Sequence, residues 1–125
     1  MKLLILLLLF VSTTGSCQHS EEIQQVTAND LELQLEQIKN LAASENCTEN
    51  SQCRYMAYGS KACGGPQGYL VFSSKVDLDK LKELVKNYTA AEAAYNKQNE
   101  IMSDCSLVTP PQTIGCVDGN CVKMD

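Results

Sequence analysis

The chain has 125 residues, a formal net charge of −5, seven cysteines and no tryptophan. This length allows one small domain, whose hydrophobic core must be modest. The acidic balance argues against nucleic acid or an anionic membrane surface as a partner. The cysteine content instead indicates a small exported protein stabilised by disulfide bonds.

Residues 1–16 have the three parts of an export signal. Lys2 gives the positive start, residues 3–11 are an unbroken apolar run, and residues 12–16 are small and polar. The apolar run would form a helix of about 14 Å, which is too short for the ~30 Å hydrocarbon layer of a bilayer. We therefore predict a signal peptide over residues 1–16.

Cys17 follows this leader directly and has two interpretations. Thr14, Gly15 and Ser16 resemble the lipobox of bacterial lipoproteins, although Thr14 stands where that family usually has an aliphatic residue. In that family the thiol of the cysteine is lipidated, which would account for a seventh, odd cysteine here. We expect a lipid anchor on Cys17, with ordinary cleavage and secretion in soluble form as the alternative. The polar residues 17–28 would then include a flexible tether.

Residues 29–125 are predicted to form the domain, and its first half contains a helix and two strands. The helix is expected over residues 29–44, with apolar residues at three-to-four spacing and a cap from Thr27 with Asp30, or from Asn29. Strands are expected over residues 53–58 and 69–73, antiparallel to each other across a glycine-rich loop.

The second half of the domain contains the longest predicted helix and a hairpin. Residues 77–99 carry an apolar stripe and begin with capping and acidic residues. Residues 113–124 contain the two-residue turn Asp118-Gly119, which is a strong hairpin signal and places Cys116 opposite Cys121. The expected fold class is α+β, with two helices packed on a small antiparallel sheet of three or four strands and stapled by disulfides.

The six cysteines after the leader are expected to form three disulfides, and they permit fifteen pairings. They are Cys47, Cys53, Cys63, Cys105, Cys116 and Cys121. The element order favours a bond between Cys63 and Cys105, with the first two cysteines bonded to the last two. A bond across the hairpin, from Cys116 to Cys121, is the alternative.

The same residues give little support to a metal site or to catalysis. The cysteine spacings are wider than the two-residue knuckle of structural zinc sites. The single histidine, His19, lies in the predicted tether, so Ser–His and Cys–His nucleophile systems are not expected in the domain. We predict no metal, no cofactor and no catalytic residue.

The loop between the predicted strands is the one candidate binding segment. Lys61, Gly64, Gly65 and Pro66 lie on it beside Cys63, an arrangement that resembles the reactive loops of small serine-protease inhibitors. The alternative is that the glycines and the proline only turn the chain, with Lys61 as a solvated side chain. The flanking tyrosines, Tyr55, Tyr58 and Tyr69, are either a recognition patch or core residues.

From Cys47 onward the pattern resembles a family of small exported bacterial, lipoprotein-like proteins. The resemblance rests on the Cys-Gly-Gly-Pro core at residues 63–66, the aromatic strand after it, Asp104-Cys105, and the closing pair Cys116 and Cys121. It implies export, frequently with a lipid anchor, and no particular activity.

The expected function is that of a non-enzymatic cell-envelope lipoprotein acting as a binding or structural module. Its expected partners are the membrane, through the lipid anchor, and an extracytoplasmic protein, with no nucleic acid. The alternative function is a secreted or anchored serine-protease inhibitor that presents Lys61.

Overall fold

A computed structural model of the chain describes residues 25–125. The predicted leader, Cys17 and most of the predicted tether lie outside these residues. The fold class is α+β, as predicted, with helices α1 (Ala28–Ala42) and α2 (Leu78–Gln98), four strands, and three disulfides.

Helix α1 begins one residue before the predicted start because Thr27 and Asp30 form a capping box. The Asp30 backbone N–H donates to Thr27 Oγ1 at 3.1 Å, and the Thr27 N–H donates to Asp30 Oδ2 at 2.9 Å. Two backbone donors that the first turn would leave unpaired are thereby satisfied. The cap from Thr27 with Asp30 is therefore the one that forms.

The first hairpin consists of β1 (Cys53–Tyr58) and β2 (Gly68–Ser73). The strands are antiparallel, with Cys53 opposite Ser73 and Tyr58 opposite Gly68. Both predicted strands are confirmed, and β2 begins one residue earlier than expected. Side chains alternate between the two faces, so one face of the hairpin points towards the helices and the other away from them.

Helix α2 begins after Asp77, whose carboxylate accepts the backbone N–H of Lys80 at 3.0 Å. Both helices pack on the inner face of the first hairpin. The core that they enclose contains Ile38, Ala42, Leu70, Phe72, Val76, Leu81, Val85 and Tyr88. Leu78 lies on the apolar stripe predicted for residues 77–99, but it is 41 % exposed because it stands at the first turn of α2, beyond the edge of this core.

The second hairpin consists of β3 (Ile114–Val117) and β4 (Asn120–Lys123). Its turn residues, Asp118 at φ 49° and Gly119 at φ 81°, both adopt the left-handed conformation that a type I′ turn requires. The predicted hairpin and its turn are confirmed. The expectation of a single sheet is wrong, since the four strands form two separate two-stranded sheets.

The second hairpin is attached to the rest of the domain mainly through side chains. Disulfides join it from Cys116 to Cys47 and from Cys121 to Cys53. The Cys116 N–H also donates to Asn50 Oδ1 at 2.8 Å. A short 3₁₀ helix, Asn50–Gln52, provides that asparagine.

Residues 99–113, between α2 and the second hairpin, contain no helix or strand. Within residues 25–125, neither helix combines the length and the apolarity needed to cross a bilayer. Three disulfides in a domain of this size are typical of a protein that functions outside the cytoplasm.

Candidate functional site

The loop of residues 59–67, which joins β1 to β2, is the candidate site. We call it the connecting loop. Its ends are closed by a hydrogen bond from the Gln67 N–H to the Tyr58 carbonyl at 2.9 Å. Within it, the Lys61 N–H donates to the Gly65 carbonyl and the Gly64 N–H donates to the Lys61 carbonyl, each at 2.9 Å. The loop therefore has a defined internal structure.

The tip of the connecting loop is made of glycines for conformational reasons. Gly64 and Gly65 have φ values of +99° and +81°, which residues with a Cβ atom adopt only with strain. A Cβ atom at either position would meet nothing within 4 Å. The tip is therefore exposed and open, and Pro66, which is half-buried, follows it directly.

A row of polar side chains on helix α2 holds the start of the connecting loop. Glu92 is 7 % exposed, and its carboxylate accepts the Ser60 N–H at 2.6 Å and the Gln67 side-chain amide at 3.0 Å. Thr89 and Asn96, one turn away on either side, bind the Gly59 N–H and the Ser60 carbonyl. The i, i+3 and i, i+4 spacing places all three on one helix face.

Glu92 also lies beside a tyrosine of the core. The Tyr88 hydroxyl donates to Glu92 Oε1 at 3.3 Å. Burial and, after it, the neighbouring Glu92 carboxylate raise the pKa of Tyr88 to about 12. Tyr88 therefore stays a neutral donor to Glu92 throughout the physiological pH range.

Lys61 is turned inward, and this contradicts both expectations made for it. Its side chain is only 8 % exposed, and its ammonium donates to Asp104 Oδ1 at 3.0 Å and to the Ser106 carbonyl at 2.7 Å. The residue is thus neither a solvated side chain nor one presented to a protease. The physical reason is that residues 104–106 lie under the loop and offer the ammonium three oxygen acceptors.

The neighbours of Asp104 favour its ionised form, which is the form that binds the Lys61 ammonium. The Ser106 hydroxyl donates to its Oδ2 at 2.8 Å. This hydrogen bond and, after it, the Lys61 ammonium hold the pKa of Asp104 below its ordinary value. The carboxylate therefore stays ionised opposite Lys61 at any pH above the acid range.

A disulfide fixes the same junction covalently. Cys63 is bonded to Cys105, as predicted, and the Cys63 N–H donates to Ser103 Oγ at 3.2 Å. Both cysteines lie at the surface. The connecting loop is consequently held by α2 on one side and by residues 103–106 on the other.

The three flanking tyrosines divide between the two faces of the first hairpin. Tyr55 and Tyr69 lie on the outer face with ring centroids 5.9 Å apart, and Tyr55 is 47 % exposed. Tyr58 points to the inner face and lies against Tyr88. Tyr58 is therefore a core residue, whereas the recognition patch stays a prediction for Tyr55 and Tyr69 on the outer face.

The other two disulfides join the first two cysteines to the last two, as expected, in the pairs Cys47–Cys116 and Cys53–Cys121. Cys116 lies opposite Cys121 in the second hairpin, yet each bonds outside it. The sulfurs of Cys47, Cys53 and Cys121 lie within 4.8 Å of one another. In disulfide form these sulfurs are not thiolates, so the cluster acts as a structural junction.

The polar and charged groups around the connecting loop bind one another, so they hold the loop in place. What this arrangement can do is present the exposed tip of the loop as a binding surface. Sequence reasoning found the loop and missed its supports, Thr89, Glu92, Asn96 and Ser106. A signal existed for three of them, because polar residues at positions 89, 92 and 96 repeat at helical spacing. Comparison of the chain with protein-family models, with curated proteins and with solved structures gave no match.

Proposed function

We propose that the chain is a non-enzymatic binding module of the bacterial cell envelope, anchored through a lipid on Cys17. The tip of the connecting loop, residues 62–66, is its recognition element, and an extracytoplasmic protein is its partner. Two observations support the proposed localisation in the cell envelope: the three disulfides, and the likeness of residues 47–121 to small exported lipoprotein-like proteins.

The proposal that residues 62–66 are the recognition element rests on the way the connecting loop is held. Glu92, Lys61 and the Cys63–Cys105 bond fix its base from three directions, while Gly64 and Gly65 at its tip remain exposed. A loop that is already ordered loses little conformational entropy when it binds. Internal hydrogen bonds this numerous are more than a simple turn between two strands requires.

We do not retain the protease-inhibitor alternative. Such an inhibitor must insert a side chain into the specificity pocket of the protease, and the Lys61 ammonium is bound to Asp104 and Ser106 instead. No other residue of the tip carries a long side chain.

Site-specific crosslinking in envelope membranes tests the recognition element. A photo-crosslinking residue at position 62 is expected to give a discrete adduct with one protein, and the same residue at Asn87, on the exposed side of α2, none. Replacing Cys63 and Cys105 together by serine is expected to weaken that adduct, because the tip loses its order. Equal crosslinking from both positions, or from neither, would refute the recognition element.

The anchor has a separate test. Intact-mass analysis of the unreduced protein is expected to show a lipid adduct on Cys17, and Cys17→Ser is expected to move the protein from the membrane fraction to the soluble fraction. A mature chain that begins after Cys17, with no lipid mass, would exclude the anchor and leave the loop proposal in place.

A further inference from the structure

A small pocket opens between the first hairpin and the start of helix α2, away from the connecting loop. Its volume is about 280 Å³, and its walls are mainly apolar. Met56 and Phe72, on the inner face of the hairpin, line it together with Leu78 of α2. Leu78, which is 41 % exposed at the first turn of α2, is thus one of the residues that line this opening.

The lining also includes Tyr55, Ser74 and two cationic residues, Arg54 and Lys82, and no acidic residue contributes to it. Across residues 25–125 the only ion pair joins Lys61 to Asp104, so neither pocket cation has a carboxylate within 4.0 Å. The chain as a whole carries a net charge of −5. Two cations that line one pocket without a carboxylate partner are a local exception to the overall charge of the chain.

The Arg54 guanidinium is held in place by backbone carbonyls of preceding residues. Its Nη1 atom donates to the carbonyls of Ser51 and Cys53, each at 2.7 Å. These bonds use one nitrogen only, so the edge formed by Nε and Nη2 remains available for the paired hydrogen bonds by which arginine binds a carboxylate. The Lys82 ammonium has no carboxylate within 4.0 Å among residues 25–125 and adds a second positive charge.

We propose that this pocket binds a small free amphiphilic carboxylate. Its apolar body lies on Met56, Phe72 and Leu78, and its carboxylate lies between Arg54 and Lys82. Ligand sites of this kind combine an apolar surface with a few convergent polar groups. The volume is just below the ~300–1,000 Å³ of typical ligand pockets, so the ligand is a single ring or a short aliphatic chain. The site is independent of the recognition element proposed above.

The test is a titration of the disulfide-bonded protein with octanoate below its micellar concentration, followed by backbone amide shifts. We expect the largest shifts at Met56, Phe72 and Leu78. Octanol, which lacks the charge, and acetate, which lacks the apolar body, are each expected to bind at least about tenfold more weakly, because tenfold corresponds to only ~1.4 kcal/mol. Equal binding of octanol and octanoate, or shifts centred elsewhere, would refute the proposal.

Charge variants give the matched comparison. Lys82→Gln is expected to weaken octanoate binding about tenfold, whereas Lys86→Gln, one turn further along the exposed side of α2, leaves it unchanged. Arg54→Gln should act like Lys82→Gln, and if it impairs folding, Leu78→Ser provides the second variant outside the core. Equal effects of Lys82→Gln and Lys86→Gln would show that the anion is attracted by general charge only, and would overturn the site.

Discussion

At the scale of single residues, Glu92 is the group on which the connecting loop most depends. Both of its carboxylate oxygens accept hydrogen bonds, from the Ser60 N–H, the Gln67 amide and the Tyr88 hydroxyl. Glu92→Gln would replace one of these acceptor oxygens by an NH₂ group, which cannot accept. That NH₂ group would face a donor, so a buried donor would lose its partner. Because a buried unsatisfied polar group costs ~1–3 kcal/mol, we expect the free energy of unfolding to fall by about that amount in urea denaturation.

Glu83→Gln is the matched control, since it makes the same change at an exposed position of the same helix. We expect it to alter stability by less than about 0.5 kcal/mol. An equal loss in the two variants would mean that charge on α2, and not the loop contact, is responsible.

The titration of Tyr88 provides a second readout of the same contact. Its folded pKa of about 12 lies above the ordinary tyrosine value of 10.0, so its contribution to stability is complete below pH 10 and is lost as the pH rises towards 12. Glu92→Gln should lower this pKa, but not to the ordinary value, because burial is the larger cause. A tyrosinate absorbance titration that does not change between the two proteins would contradict the contact.

Lys61 marks the limit of what could be predicted at this scale. Its place on a glycine-rich, disulfide-linked loop followed from its neighbours in sequence. The direction of its side chain depends on Asp104 and Ser106, which are more than forty positions away and become its neighbours only through the fold. A motif on a loop therefore identifies the segment, but not which of its side chains reach the solvent.

At the scale of elements, local signals predicted the boundaries of both helices and of the first two strands to within two residues. Thr27 with Asp30, Asp77, and the Asp118-Gly119 turn each act through contacts within a few residues, and each works as expected. The number of sheets was not predictable in the same way. Whether two hairpins join edge to edge depends on long-range packing, and here disulfides hold the second hairpin against the first without a shared ladder.

Residues 99–113 form an element whose order depends on one junction. Their middle portion is attached to the rest of the domain through Cys63–Cys105, through Lys61, and through the hydrogen bond from the Cys63 N–H to Ser103. Met102 and Leu107 are 93 % and 87 % exposed, so apolar burial adds little to that attachment. Replacing Cys63 and Cys105 together by serine should therefore release this segment while the two hairpins and both helices persist.

Hydrogen exchange measures this release directly. In the Cys63→Ser, Cys105→Ser double variant we expect faster exchange across residues 99–113 and the connecting loop, with the amides of β1 and of the core side of α2 unchanged apart from a global loss of stability. The disulfide closes a loop with a sequence separation of 42. The chain-entropy model gives about 4 kcal/mol for such a loop, as an upper value for that loss. Uniformly faster exchange, with no excess in residues 99–113, would contradict the proposed junction.

At the scale of the whole molecule, the arrangement of the other two disulfides determines how stability is distributed. Cys47–Cys116 and Cys53–Cys121 have sequence separations of 69 and 68, so they close almost the same loop. Either bond alone removes the entropy of that long loop from the unfolded chain, worth about 4 kcal/mol. The second bond then closes only the small ring made by residues 47–53 and 116–121, which is worth about 3 kcal/mol.

Because the two bonds share a loop, removing both should lower the free energy of unfolding by more than the sum of the two separate losses. Removing either one by a pair of Cys→Ala substitutions should cost about 3 kcal/mol and leave a cooperatively folding protein, whereas removing both should cost about 7 kcal/mol. A typical small domain has a free energy of unfolding of about 5–15 kcal/mol, and the core here is formed by only eight buried side chains. A loss of about 7 kcal/mol is therefore a large part of the total stability. Guanidinium denaturation of the three variants measures the difference. If the variant lacking both bonds loses only the sum of the two separate losses, the bonds act independently and the shared-loop account is wrong. If removing one bond already unfolds the protein, that bond contributes more than the shared loop allows, and the account is also wrong.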